Sequence, residues 1–169
     1  MTTEALFLDF SAKKLRQYLV RIETCLGKLT EEQIWWRASD NGNAVGNLCL
    51  HLAGNVRQWI LHGVGGEPDA RQRDSEFNAQ GGVGKDELWR RLNGTVEEAL
   101  VVIGGQSDLL RVVKPQKYEV TVLEAIYHVV EHFGQHTAQI LYATKGFTGE
   151  DLGFYAHLKS PSPLKDPTP

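Results

Sequence analysis

The sequence predicts an all-α protein, a bundle of four long helices with a long crossover between the second and the third. Apolar residues return at steps of three and four along four separate segments, which is the spacing of an amphipathic helix. Two Thr-x-x-Glu/Gln patterns, at Thr30 and Thr121, are typical of helix starts. A glycine-rich polar stretch of about twenty residues separates the second and third segments, and it is far longer than a helix hairpin needs.

The composition limits the class of protein. A chain of 169 residues has the usual size of one domain, and its 41% hydrophobic and 23% charged residues are ordinary for a soluble globular protein. The formal net charge of −3 gives no electrostatic reason to expect binding to a phosphate backbone, so we expect no nucleic-acid partner. The sequence lacks both a signal-peptide pattern and a run of roughly 20 apolar residues. We therefore expect a cytoplasmic protein without membrane contact.

The first helix is predicted over residues 3–29, where Leu15, Leu19 and Ile22 mark its apolar face. The capping box at Thr30 then predicts a short helix that carries a pair of tryptophans onto the end of the bundle. The connection between the first and second long helices is therefore expected to lie at one end of the bundle.

The second helix is predicted over residues 44–62, where Val45, Cys49 and Val56 share a buried face. Glycines end it, and residues 63–84 are predicted to form a loop. At about 3.3 Å per residue this loop could run the length of a 30 Å helix. The second and third helices can therefore lie parallel, as they do in bundles with a long crossover.

The third helix is predicted over residues 85–103, with acidic residues in its first turn and a glycine pair at its end. The fourth begins after Thr121 and ends near Gly146, the predicted C-cap. The bundle is assigned to residues 1–155. The proline-rich segment 156–169 is expected to be extended or disordered.

The two cysteines, Cys25 and Cys49, fall inside apolar helical patterns and lack the spacing of a redox pair or zinc knuckle. We predict buried, reduced thiols. A catalytic role for Cys49 is the alternative, because Cys49 lies two residues before His51. Residues at i and i+2 nevertheless point to different faces of a helix.

Three histidines of the fourth helix, His128, His132 and His136, follow one another at every fourth position. They form one ridge along the edge of the apolar face. His128 and His136 are about 12 Å apart along the helix axis, so only an adjacent pair can chelate one ion. A third ligand must come from another helix, and His51 is the best placed. The alternative is a set of half-buried, hydrogen-bonded histidines without a metal.

A second motif overlaps this ridge, because residues 128–132 match the H-x-x-E-H signature of inverted zinc metallopeptidases. Such enzymes need a further acidic ligand well downstream. The only later glutamate is Glu150, beyond the predicted helix, so the peptidase is the weaker interpretation.

The second predicted helix contains the segment HLAGN at residues 51–55, and the fourth contains the segment HVVEHFGQHTAQI at residues 128–140. With these two segments in this order, the sequence resembles the DinB-like superfamily of YfiT-like metal-binding bundles. Segment RDSEF at 73–77 and segment DLGFY at 151–155 are similar to one uncharacterised branch. Ala138 departs from the family, which often has glycine there.

This resemblance implies a four-helix bundle of down-up-up-down type, usually a homodimer, with zinc or nickel held by three histidines. By motif position the ligands are His51, His132 and His136, and His128 is their neighbour. Some relatives are similar to transferases that join a low-molecular-weight thiol to an electrophile, and others have isomerase or hydrolase roles.

The expected function is therefore that of a metal-activated enzyme, such as a thiol-dependent S-transferase with a low-molecular-weight thiol as co-substrate and a second small molecule as acceptor. A metal-dependent hydrolase and a non-enzymatic, metal-stabilised bundle are the alternatives. Asn55, His128 and Gln139 are expected to orient the ligands or a bound group. No general base can be identified from the sequence.

Overall fold

The computed structural model describes residues 1–159, and within them the protein is mostly helical. It contains six α-helices and one small two-stranded sheet. The helices are α1 (Thr3–Lys28), α2 (Glu31–Trp35), α3 (Val45–Val56), α4 (Arg73–Asn78), α5 (Lys85–Gly104) and α6 (Val122–Thr148). The strands are β1 (Val112–Val113) and β2 (Val120–Thr121), which pair antiparallel.

Both predicted capping boxes are present. The Thr30 hydroxyl accepts from the Gln33 amide, and the Thr121 hydroxyl accepts from the Glu124 amide. The predicted end of α6 was wrong: Gly146 stays inside the helix, and Gly149 is the cap, with a left-handed φ of 68°. Glycine adopts this conformation without a steric penalty, which is why the helix stops there.

The second long helix changes geometry part-way along. Beyond α3 it continues as a π-helical segment, Arg57–Val64, and Gly65 is its C-cap. The continuous rod therefore covers the predicted span of 44–62 and extends slightly past it. In the wider π turns three successive side chains, Trp59, Ile60 and Leu61, are all buried. Such turns are often found at functional sites.

The crossover is not the plain loop that the sequence predicted, because it contains α4. The side-chain amide of Asn47 donates to the carbonyls of Glu76 and Ala79, at 2.9 and 2.8 Å. The Arg37 guanidinium donates to the Phe77 and Ala79 carbonyls. These long-range hydrogen bonds hold α4 against α3 and against the segment that joins α2 to α3.

Two smaller features also differ from the sequence prediction. The β1–β2 pair is too short to give a sequence signal. Residues Ala156–Lys159, at the start of the segment predicted to be extended or disordered, form a 3₁₀ turn. The rest of that segment, residues 160–169, lies outside the described residues. Over residues 1–159 no helix combines the length and apolar character that a membrane crossing requires.

The core lies between α1, α3, α5 and α6, where the predicted apolar faces meet. Its largest fully buried side chains include Leu15 of α1, Leu52 of α3, Leu92 of α5 and Phe133 of α6. Because Leu52 and Phe133 are direct neighbours in sequence of His51 and His132, packing of the core also fixes the backbone that carries these two histidines.

Candidate metal centre

Three imidazoles from two helices converge at the edge of the core. His51 extends from α3, and His132 and His136 extend from successive turns of α6. The Nε2 atom of His132 lies 3.1 Å from that of His51 and 3.1 Å from that of His136. One nitrogen from each ring lies within 4.8 Å of the other two, so this group could hold a metal ion.

Two of the rings are oriented through their second nitrogen. Nδ1 of His51 lies 3.0 Å from Oε2 of Glu76, and Nδ1 of His136 lies 2.6 Å from Oε1 of Gln139. These oxygens can only accept, so each Nδ1 carries the proton and donates it. Each Nε2 is then the nitrogen on which a metal ion could bind, which is the arrangement that metal-binding histidines usually have.

Glu76 is held in place by Arg71. Nε of Arg71 donates to Oε1 at 2.7 Å, and Nη2 donates to Oε2 at 2.7 Å. The Arg71 and Glu76 side chains are only 2% and 9% exposed. Burial alone would raise the pKa of Glu76, but the hydrogen bonds and charge of Arg71, together with His51, outweigh it and lower that pKa. The carboxylate therefore stays ionised beside His51.

The α6 imidazoles are neutral at neutral pH. Burial, the neighbouring histidine rings and the charge of Arg71 together lower the pKa of His132 to about 3, and burial is the largest cause. Burial also lowers the pKa of His136, more than the Gln139 hydrogen bond raises it. The neutral imidazole is the metal-binding form.

Two buried polar atoms near the triad have no hydrogen-bond partner among the described residues. They are Nδ1 of His132 and Oδ1 of Asn55. Asn55 is 4% exposed and lies one turn after His51. If Nε2 of His132 binds a metal, Nδ1 carries the proton and needs an acceptor. Asn55 and His132 line one cleft, so an unpaired donor and an unpaired acceptor belong to the same site.

His128 stands apart from the converging nitrogens. Its ring packs on Trp59, with centroids 3.9 Å apart, and on His132, at 5.5 Å. Glu131, the acid of the H-x-x-E-H match, is exposed and accepts from Gln135. The glutamate of the peptidase motif therefore does not lie at the centre.

A cleft of about 430 Å³ opens beside the triad. It is lined by His51, Asn55, Trp59, Arg71, Arg73, Gln116, Tyr118, His128 and His132. The volume is within the range of small-molecule sites. A small ligand could therefore reach the histidine nitrogens from this side.

Sequence reasoning missed Arg71 and Glu76, which belong to the crossover. One signal was available in Gly54 of the HLAGN segment, because a Cβ there would lie 1.9 Å from Oε1 of Glu76. Only glycine lets the carboxylate approach α3 so closely. A glycine one turn after His51 therefore indicated that another group packs closely against the second helix there. It did not indicate which residue that group belongs to.

The cysteines take no part in the centre. Cys25 and Cys49 are buried and free, as predicted. Burial raises the pKa of Cys49 to about 12 and also raises that of Cys25. A thiol that remains protonated at neutral pH is a poor nucleophile, so the alternative of a catalytic Cys49 loses its chemical basis.

The arrangement as a whole could hold a metal ion on three imidazoles, next to a cleft. Comparison with curated protein sequences finds no match. Comparison with protein families matches residues 2–157 to a family described as a protein of unknown function, DUF1572. Since that match covers nearly the whole chain, the protein belongs to the DUF1572 family.

Proposed function

We propose that the protein is a metal-activated enzyme that transfers a low-molecular-weight thiol to an electrophile. The observation that carries this proposal is the convergence of His51, His132 and His136 beside a cleft, with no fourth His, Cys, Asp or Glu ligand grouped with them in residues 1–159. A structural zinc site is normally closed by four protein ligands. Three ligands leave room for a reacting molecule.

The proposal includes membership of the DinB-like superfamily and a down-up-up-down bundle. The indole of Trp35 contacts Gly46, at the start of α3, and donates to the Val83 carbonyl, just before α5. Gly65, after the π segment, lies against Val102 near the end of α5. The start of α3 thus lies near the start of α5, and the end of its π-helical continuation lies near the end of α5. These contacts support a parallel arrangement of α3 and α5.

The other two long helices fit the same topology. Tyr18 of α1 lies against Gly134 of α6, and Lys28 at the end of α1 pairs with Glu150 just after α6. The contacts therefore advance along α1 and α6 in the same direction, which supports a parallel arrangement of these two helices. Contacts between His51 and His132 and between Trp59 and His128 run in opposite order, which supports an antiparallel α3 and α6.

A thiol is preferred to water as the nucleophile because the cleft lacks a free base. No aspartate or glutamate lines it. Both oxygens of Glu76 already accept hydrogen bonds, from Arg71 and His51. A bound divalent ion, zinc or nickel, would lower the pKa of the nucleophile that binds to it. A thiol with a pKa of about 8.5 needs much less help than water at about 15.7.

The roles of the chain's own residues follow from their contacts. His51, His132 and His136 would hold the ion. Glu76 and Gln139 keep Nδ1 protonated on two of these rings, and Asn55 is proposed to do so for His132. His128 forms part of the cleft wall. The reaction would take place in the cytosol, where such thiols are abundant.

The test of this function is thiol conjugation by protein loaded with zinc or nickel. Glutathione, bacillithiol, mycothiol and coenzyme A would each be offered with monobromobimane, and the rate followed by fluorescence. We expect acceleration with one thiol, because its anion is stabilised at neutral pH. His136→Ala should abolish the acceleration, whereas His62→Ala should leave it unchanged, because His62 donates to the Glu67 carbonyl outside the site.

Other outcomes would favour the alternatives. Acceleration of ester hydrolysis without any thiol would favour a hydrolase. A protein that accelerates neither reaction, and that loses helical circular dichroism when its metal is removed, would favour the non-enzymatic, metal-stabilised bundle.

We also propose a homodimer, motivated by exposed aromatic side chains on one face. Trp36 is 53% exposed and Tyr142 is 84% exposed, and both line an apolar groove of about 920 Å³ together with Phe147. Aromatic residues are enriched at interfaces. Light scattering should return twice the chain mass at micromolar concentration, and Tyr142→Glu should shift it toward the monomer. A monomer mass at all concentrations would contradict the dimer.

A further inference from the structure

The cleft beside the histidines contains an unused hydrogen-bond donor. Trp59 is only 5% exposed, and its ring packs between His128, at 3.9 Å, and Tyr118, at 5.8 Å. Its Nε1–H is buried and has no acceptor among residues 1–159. A buried indole N–H normally donates a hydrogen bond, so the absence of an acceptor for Trp59 among these residues needs an explanation. The side chain lines the cleft, where a ligand could supply the acceptor.

The charge of the cleft indicates what kind of acceptor it would be. Arg71 is neutralised by the buried Glu76. Arg73 is exposed, and its guanidinium lies over the Phe77 ring at 4.8 Å. No acidic side chain in the described part of the chain pairs with Arg73, and none lines the cleft. The cleft therefore has a net positive charge and would attract an anion.

We propose that this cleft is a subsite for the carboxylate of a small organic substrate. The Trp59 indole N–H would donate to one carboxylate oxygen, and Arg73 would supply the opposite charge. One indole donor and one guanidinium suit a carboxylate, whereas a phosphate has three terminal oxygens to satisfy. This inference rests on the proposed function for its biological meaning, since the anchored molecule would be a co-substrate held next to the three histidines.

The π-helical segment gives the subsite its shape. In Arg57–Val64 the wider turns bury Trp59 together with Ile60 and Leu61. Its ring packs against His128 and Tyr118. These contacts hold the side chain in place at the cleft before any ligand arrives, which lowers the entropic cost of binding.

The experiment follows the indole N–H resonances of ¹⁵N-labelled protein. Four are expected, and the one from Trp59 is assigned by its loss in Trp59→Phe. Zinc-loaded and metal-free samples are each titrated with benzoate, with the neutral isostere benzamide and with inorganic phosphate. We expect benzoate to shift the Trp59 signal downfield and to saturate, while benzamide leaves it in place. Arg73→Gln should weaken benzoate binding about tenfold, and the distant Arg90→Gln should not.

The subsite is overturned if the Trp59 signal does not move, or if benzoate binds equally well to Trp59→Phe and Arg73→Gln. It is also overturned if phosphate binds more tightly than benzoate. Binding that requires zinc but ignores both variants would place the carboxylate on the ion; the subsite would then be wrong while the metal centre stands. A benzoate response in a protein that binds no metal would support the subsite and refute the proposed function.

Discussion

Replacing His132 by Ala is expected to abolish stoichiometric binding of zinc or nickel. Its Nε2 atom lies 3.1 Å from the Nε2 atoms of both His51 and His136, so its loss removes the central member of the triad. His128→Ala should leave occupancy nearly intact, because His128 packs on Trp59 outside the converging nitrogens. Elemental analysis of untagged protein prepared without chelators, followed by calorimetric titration, measures both effects.

Thermal unfolding provides a second readout of the same prediction. Free metal at 1,000 times Kd should stabilise the wild-type protein by about 4 kcal/mol. The His132→Ala variant should show no such stabilisation while keeping its helical circular dichroism, because the apolar core and not the ion supplies the burial. Tight binding of one metal per chain by His132→Ala would refute this ligand set, as would a wild-type protein that takes up neither metal.

Glu76→Ala is expected to impair both stability and metal binding. It would leave the Arg71 guanidinium, whose side chain is 2% exposed, without a counter-charge. Breaking a buried pair from one side costs about 3–5 kcal/mol of unfolding free energy. The same change removes the acceptor for Nδ1 of His51, and loss of such a partner typically weakens metal affinity about 10–100-fold. Chemical denaturation and metal titration measure the two losses separately.

A double variant separates the two roles of Glu76. Arg71→Met with Glu76→Leu replaces the buried pair by apolar side chains, so stability should largely return while metal affinity stays low. Asn55→Leu should weaken metal binding with a smaller loss of stability, since Asn55 Oδ1 has no partner to lose among the described residues. Glu98→Ala, which breaks the exposed pair with Arg57, is the control and should change neither property. Unchanged metal affinity in Glu76→Ala would show that Glu76 is structural only.

The sequence by itself determined the long helices and the ridge of histidines, because both depend on local spacing. A repeat of three and four residues specifies an amphipathic helix wherever it occurs, and a Thr-x-x-Glu/Gln box satisfies its own backbone amides. His132 and His136 are neighbours by helical geometry alone. The sequence placed the end of α6 at Gly146, whereas the helix ends at Gly149, because glycine suits a C-cap at either position and only the packed helix shows which one is used.

The tertiary structure alone decided how the site is completed. Spacing left two adjacent histidine pairs open, and the packing of α3 against α6 brings His51 to the pair formed by His132 and His136. Glu76 lies 25 residues from His51 in sequence, inside a crossover whose path depends on contacts with α3. Such contacts have no period that a sequence can display, because each is formed between groups that meet only after the helices have packed.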